Sequence, residues 1–210
     1  MYLFSRQARL NSMEGVAWAA NIGKVAAELG EHEVDLWMRA YSPGFGVVVW
    51  TSWWDTLVAM ESGFAKFTTN EKYLSLAAEG RGFLEGEVDD TLYRSLYDGS
   101  GAGGDAVAQY VSVVQAVCAN GNLERGMMAG VEIAQKAEAA TGRSTGFVAN
   151  VTGHYGGVGW LAGYQSLAEF EDAQDKLNTD ASFVKFVDST TGAYVQDPSV
   201  TQTLLFAKVG

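Results

Sequence analysis

One internal repeat constrains this chain more than any other feature. Sliding the sequence against itself by 110 residues places Gly46, Val48 and Trp50 on Gly156, Val158 and Trp160. Glu14, Ala19, Ala27 and Glu28 fall on Glu124, Ala129, Ala137 and Glu138. Leu57, Glu61, Lys66, Thr69, Gly82 and Thr91 meet the same residue types again at 167, 171, 176, 179, 192 and 201. These thirteen identities need no gap. The level is low, and its weight comes from the shared tryptophan and the unbroken register. A duplicated unit decides the architecture, so it is read before any local feature. Between the copies lies Asp98-Gly99-Ser100-Gly101-Ala102-Gly103-Gly104-Asp105, with the composition of a flexible linker. The expected organisation is a first repeat at 1–97, a Gly-rich linker at 98–106 and a second repeat at 107–210.

Each copy reads strand, helix, strand, strand, helix, strand. In the first, a strand at 2–9 precedes a helix to about Leu29, opened by a capping-box spacing at Asn11 and Glu14. Strands at 33–41 and 46–54 follow, with Pro43-Gly44 as a tight turn between them. A helical stretch over 55–76, with a break near 68–70, leads to a last strand at 88–97. The second copy repeats this at 107–118, 122–140, 145–153, 155–164, 166–190 and 199–209, and Ser166 with Glu169 has capping-box spacing. The βαββαβ order is the split-βαβ, ferredoxin-like motif, with both helices on one face of an antiparallel sheet. The expected class is therefore α+β: two tandem ferredoxin-like repeats whose antiparallel sheets pack face to face as an intramolecular α/β barrel.

A recurring pattern accompanies that order: a third-strand tryptophan, then a helix opening Ser-Leu-x-Glu-Phe, then Asn-Thr-Asp-x-x-Phe. It reads here as Trp160, Ser166-Leu167-Ala168-Glu169-Phe170 and Asn178-Thr179-Asp180-Ala181-Ser182-Phe183. Trp50, Thr56-Leu57 and Thr69-Asn70 echo it in the first copy. With this pattern the chain resembles the dimeric α/β-barrel superfamily, and in particular its monooxygenase-like and NIPSNAP-like members. The superfamily also includes haem-degrading enzymes, chlorite-dismutase-like proteins and isomerases, so the resemblance implies a fold and leaves the chemistry open. Its haem-binding members take an axial histidine from the second helix. Neither 55–76 nor 166–190 contains one, and no cofactor is expected.

Composition narrows the partners. Fourteen Lys and Arg against 25 Asp and Glu give a net charge of −11 with no basic stripe, so neither nucleic acid nor an anionic membrane is an expected partner. Cys118 is the single cysteine, which excludes an internal disulfide framework. No signal-peptide pattern opens the chain and no apolar run reaches the length of a bilayer span, so a cytoplasmic location is expected. His32 and His154 both fall in loops and read as surface residues. Cys118 reads as a small buried residue, and metal-ligand spacing and a Gly-x-Ser-x-Gly elbow are both absent. Gly153–Gly159 is glycine-rich but forms a hairpin, and a phosphate cradle needs a strand-to-helix turn.

Strand alternation yields a candidate site. A two-residue Pro43-Gly44 turn would oppose Trp37 to Trp50, Arg39 to Val48, Tyr41 to Gly46 and Asp35 to Ser52, placing this mixed set inside the barrel. Phe147 opposite Trp160 would repeat it in the second copy, beside smaller residues that leave space. In this reading Trp37, Trp50, Phe147, Trp160 and Asp35 bind a small apolar or aromatic ligand, while Arg39 and Tyr41 carry catalysis, with Arg39 stabilising an oxyanion. Two alternatives stay open: the tryptophans fill the space between sheets, and Asp35 is simply the partner of Arg39. The functional expectation is a small-molecule-binding α/β-barrel protein of cofactor-free monooxygenase type acting on an aromatic or enolic substrate. Its alternatives are a non-enzymatic protein with a solid barrel acting through protein partners and, more distantly, haem handling. Either a monomer or a homo-oligomer satisfies the fold.

Overall fold

A computed structural model describes residues 1–101 and 107–210. Residues 102–106 of the expected linker lie outside the described residues. The chain divides into two units, Met1–Tyr93 with Phe206–Gly210, and Arg94–Leu205. The first holds β1 (Tyr2–Leu10), α1 (Gly15–Gly30), β2 (Asp35–Ala40), β3 (Val47–Trp54), α2 (Leu57–Phe67), α3 (Glu71–Glu79) and most of β4 (Leu84–Tyr97). The second holds β5 (Tyr110–Val117), α4 (Leu123–Thr141), β6 (Thr145–Asn150), β7 (Gly157–Tyr164), α5 (Leu167–Thr179), α6 (Ala181–Ser189) and the start of β8 (Gln202–Lys208). The strands are hydrogen-bonded in the order β1-β3-β2-β8-β5-β7-β6-β4, a closed antiparallel barrel. No helix among the described residues is long and apolar enough to cross a membrane.

In the first unit the helices cover one sheet face. Ala8, Leu10, Leu36, Val48 and Trp50 from the strands pack against Trp18, Ala19 and Ile22 of α1. Trp50 donates its indole N–H to the Ala19 carbonyl at 2.8 Å, so its one polar atom is satisfied inside the core. Trp160 does the same in the second unit, donating to the Gly130 carbonyl of α4 at 2.8 Å. Close approach requires small helix residues beneath these rings. A Cβ on Gly130 would lie 2.0 Å from the Phe147 ring, and one on Gly23 3.1 Å from the Trp50 ring.

Each expected second helix is two helices, because a short polar residue caps a new one. Asn70 Oδ1 accepts from Tyr73 N at 2.9 Å and opens α3. Asp180 Oδ1 accepts from Phe183 N at 2.8 Å and opens α6. The break foreseen near 68–70 therefore has an equivalent at Asp180, where a continuous helix over 166–190 was expected. The Ser166 cap forms, with its Oγ accepting from Glu169 N. The Asn11–Glu14 box does not: Asn11 donates instead to the Gly82 carbonyl at 2.8 Å, and α1 begins without a side-chain cap.

The repeat is real but its register is not uniform. Ala8 pairs with Val48 and Ala116 with Val158, so β1 and β5 stand 108 residues apart while β3 and β7 stand 110 apart. Helix α1 ends at left-handed Glu31 and α4 at left-handed Gly142, a spacing of 111. Leu36 pairs with Trp50 and Phe147 with Trp160, so β2 and β6 keep that spacing of 111. Small insertions are absorbed in the loops, where they leave the core untouched.

Phe147 is fully buried and has nowhere to retreat. Gly130→Ala is therefore expected to destabilise the protein by about 1–3 kcal/mol through overpacking, despite the better helix propensity of alanine. Urea unfolding monitored by circular dichroism measures it.

Candidate functional site

Register decides which side chains share a face, and a one-residue slip moves a whole strand to the other side. The β2–β3 connection is not a two-residue turn. It runs through Tyr41–Gly46, with Tyr41, Gly44 and Gly46 all at positive φ. Trp37 consequently pairs with Val49 rather than Trp50, and Asp35 with Thr51 rather than Ser52. Trp50 faces α1 together with Leu36 and Val48, while Trp37, Arg39 and Asp35 lie on the opposite face. Phe147 and Trp160 do oppose each other as expected, but they face α4. Tyr41 is 83% exposed in the hairpin loop.

The residues left on the face away from the helices engage one another. Asp35 pairs with Lys208 at 2.7 Å, not with Arg39. Trp37 donates to Thr51 Oγ1 at 2.9 Å, and the Lys208 ammonium sits 5.6 Å from its ring centre. Arg39 donates to Gln7 Oε1 and to the Pro43 carbonyl, both at 2.9 Å, and lies over the Phe206 ring. Its Nε is buried without a partner, and burial lowers its pKa with a further contribution from Arg9.

A cavity of about 210 Å³ lies on the other face, between sheet and helices of the first unit. Phe4 and Arg6 of β1 and Trp50 and Ser52 of β3 form its sheet side. Ile22 and Ala26 of α1, Phe64 and Phe67 of α2, and Tyr73 of α3 form its helix side, and His32 closes it from the α1–β2 connection. Aromatic contacts run continuously along this wall. The His32 and Trp54 ring centres are 3.9 Å apart, Trp54 and Phe64 5.9 Å, Phe64 and Phe67 5.3 Å, and Phe67 and Tyr73 4.9 Å. A dry apolar cavity of roughly 150 Å³ accepts benzene, so this volume suits one or two fused rings.

Few polar groups interrupt the apolar lining. Arg6 binds Asp90 through two hydrogen bonds of 2.7 Å, and its Nη1 reaches the Tyr73 hydroxyl at 3.5 Å. The Asp90 hydrogen bonds raise the Arg6 pKa against the opposing effect of burial. Buried Ser52 accepts the Trp54 indole N–H at 2.8 Å. His32 was expected on the surface, yet its Nδ1 is buried and lacks a hydrogen bond of normal geometry. Burial lowers the His32 pKa below its usual 6.5, against a smaller opposing effect of the Gly30 backbone.

The second unit shows what the same positions become without this polarity. Pairing places Val114 where the first unit has Arg6, since each lies opposite its β-strand tryptophan. The two helix caps place Phe183 at the position of Tyr73. Following its left-handed helix end, Arg143 stands in place of His32 and pairs with Glu169 at 3.0 Å. Sequence reading missed Arg6, Tyr73 and His32 because none belongs to a motif. The signal available was their replacement by apolar or ion-paired residues in the other copy.

The fold is shared with solved structures of very low sequence identity. A putative monooxygenase from Fusobacterium nucleatum subsp. nucleatum superposes with a TM-score of 0.73 at 7% identity, covering 100% of this chain and 92% of that one. A putative monooxygenase from Lactobacillus acidophilus gives 0.67 at 8%, covering 99% and 93%. An anthrone oxidase-like protein gives 0.67 at 10%, covering 100% and 91%. No protein-family model matches the sequence, and no curated protein is significantly similar to it. These structures are dimeric α/β-barrel, ferredoxin-like proteins, and the present chain has their fold.

A histidine whose folded pKa lies below its unfolded value stabilises the fold fully above the unfolded value and loses that contribution as pH falls through the folded one. Unfolding free energy is therefore expected to decline as pH drops below 6.5. The decline should be shallower in His32→Phe, as read from urea unfolding across a pH series.

Proposed function

We propose that the first unit's cavity binds a small planar aromatic or enolic molecule, and that the protein acts on it as a cofactor-independent monooxygenase-like enzyme. The observation that carries this reading is the aromatic-walled cavity of about 210 Å³ with Arg6, Tyr73 and His32 at its edges. An apolar pocket with a few convergent polar groups is the usual form of a small-molecule site. The names of the similar structures, two putative monooxygenases and an anthrone oxidase-like protein, support the reaction class. In such a reaction the substrate is the reductant. A ring carbon of its anion adds to dioxygen, the O–O bond then breaks, one oxygen remains as a carbonyl and the other leaves as water. The protein's part is to hold the ring, exclude water and favour the anion.

The test uses 1-naphthol, whose two rings match the cavity. Equilibrium dialysis is expected to show one site per chain, and Ala26→Phe, which fills the cavity, to weaken binding at least about tenfold with an unchanged far-UV spectrum. An oxygen electrode should record one O₂ consumed per 1,4-naphthoquinone formed. Binding without oxygen uptake points instead to a ligand-binding protein that is not an enzyme, and absence of binding removes the cavity reading.

A second reading keeps the ligand on the opposite sheet face, against Trp37 and Arg39. The unpartnered, buried Nε of Arg39 favours it. Arg39→Leu separates the two: 1-naphthol affinity is unchanged if the cavity is the site and falls if the Trp37–Arg39 face is.

A further inference from the structure

We infer that His32 is the hydrogen-bond and proton acceptor for an acidic O–H group of the bound molecule, so that the cavity selects neutral phenols and enols over hydrocarbons of the same shape. This rests on the first unit's cavity being the binding site.

The His32 ring is part of the cavity wall and is held against Trp54 at 3.9 Å, which fixes its plane. A Cβ placed on Gly30 would come within 2.2 Å of His32 Nδ1, so that nitrogen is sealed against the Gly30 backbone. Proton exchange is left to Nε2. A neutral imidazole offers one N–H and one lone pair, and a proton on Nδ1 leaves the lone pair on Nε2.

Among the described residues no carboxylate holds the ring in its charged form. In the second unit the equivalent Arg143 pairs with Glu169 and lies over the Tyr164 ring at 5.8 Å. The matching helix caps, Thr56 with Ala59 and Ser166 with Glu169, show that the first unit has Ala59 where the second has that glutamate. The charged neighbours of His32 are otherwise engaged or exposed. Glu31 pairs with Lys66 of α2 at 2.8 Å, Glu33 is exposed, and Arg6 of β1 is neutralised by Asp90 of β4. Burial favours the neutral ring further.

The Arg6–Asp90 pair brings no net charge to the wall, so a preformed carboxylate ligand finds no net positive charge there, whereas a neutral O–H can donate to Nε2. When that O–H breaks, the proton moves to Nε2 and the electron pair stays on the ligand oxygen. The resulting anion is the species that the proposed oxygenation requires.

The test compares 1-naphthol with 1-methylnaphthalene, which has the same shape but no donor, by equilibrium dialysis against wild type, His32→Phe and His32→Gln. Wild type is expected to prefer 1-naphthol by about five- to tenfold at neutral pH, the worth of one hydrogen bond. The preference should weaken as pH falls through the lowered pKa of His32, where the ring takes up its proton. His32→Phe should bind the two compounds with equal affinity. His32→Gln, whose amide oxygen still accepts, should keep the preference and lose its pH dependence. An undiminished preference in His32→Phe, or a pH dependence that survives in His32→Gln, overturns the inference and leaves the cavity reading standing. Failure of both compounds to bind wild type overturns both. If His32→Phe loses 1-methylnaphthalene as well, its pocket is disrupted and the His32→Gln pH series decides.

Discussion

Each half of this molecule depends on one contact, an indole driven between sheet and helix with its N–H bonded to a helix carbonyl. Trp50 reaches Ala19, and Trp160 reaches Gly130. The ring supplies the apolar area that holds the layers together, and the carbonyl's spare lone pair removes the penalty for burying its one donor. The contact dictates its surroundings. Helices α1 and α4 must present Ala19, Gly23, Gly130 and Ala134 to the sheet, since larger residues would push the tryptophan or its neighbour Phe147 out. This explains why the tryptophan is the identity that survives in the repeat when most others have gone.

The same scaffold has been filled in two ways. In the second unit Phe147 is fully buried, Phe183 and Val114 are apolar, and Arg143 is ion-paired with Glu169. In the first unit those four positions are Leu36, Tyr73, Arg6 and His32. Polar groups bordering an apolar cavity are a stability liability unless something is bound there. A duplicated fold can carry that liability in one copy, because the other is packed as an ordinary core.

The candidate site was hard to see in the sequence for a definite reason. Alternation along β2 and β3 correctly showed that each strand has two unlike faces. Which β3 face accompanies which β2 face depended on the length of the connection, and the presence of Pro43-Gly44 suggested a shorter one than Tyr41–Gly46. A shift of one residue then exchanged Trp50 for Val49 opposite Trp37. The arrangement in the second hairpin was inferred correctly as a pairing, Phe147 with Trp160, and still assigned to the wrong side of the sheet. His32 looked like a loop residue because it is one in sequence; only the packing of its ring against Trp54 makes it part of the cavity wall.

What the sequence determined by itself was the duplication, the element order within each copy and hence the fold, because these follow from local periodicity, caps and a repeated tryptophan. Those signals act over a few residues and survive drift in everything else. The tertiary structure alone decided the strand register, the sheet face each aromatic occupies and the company His32 keeps. Those depend on distances between segments far apart in the chain, where a single residue in a loop carries no local signature yet moves a side chain from one layer of the protein to another.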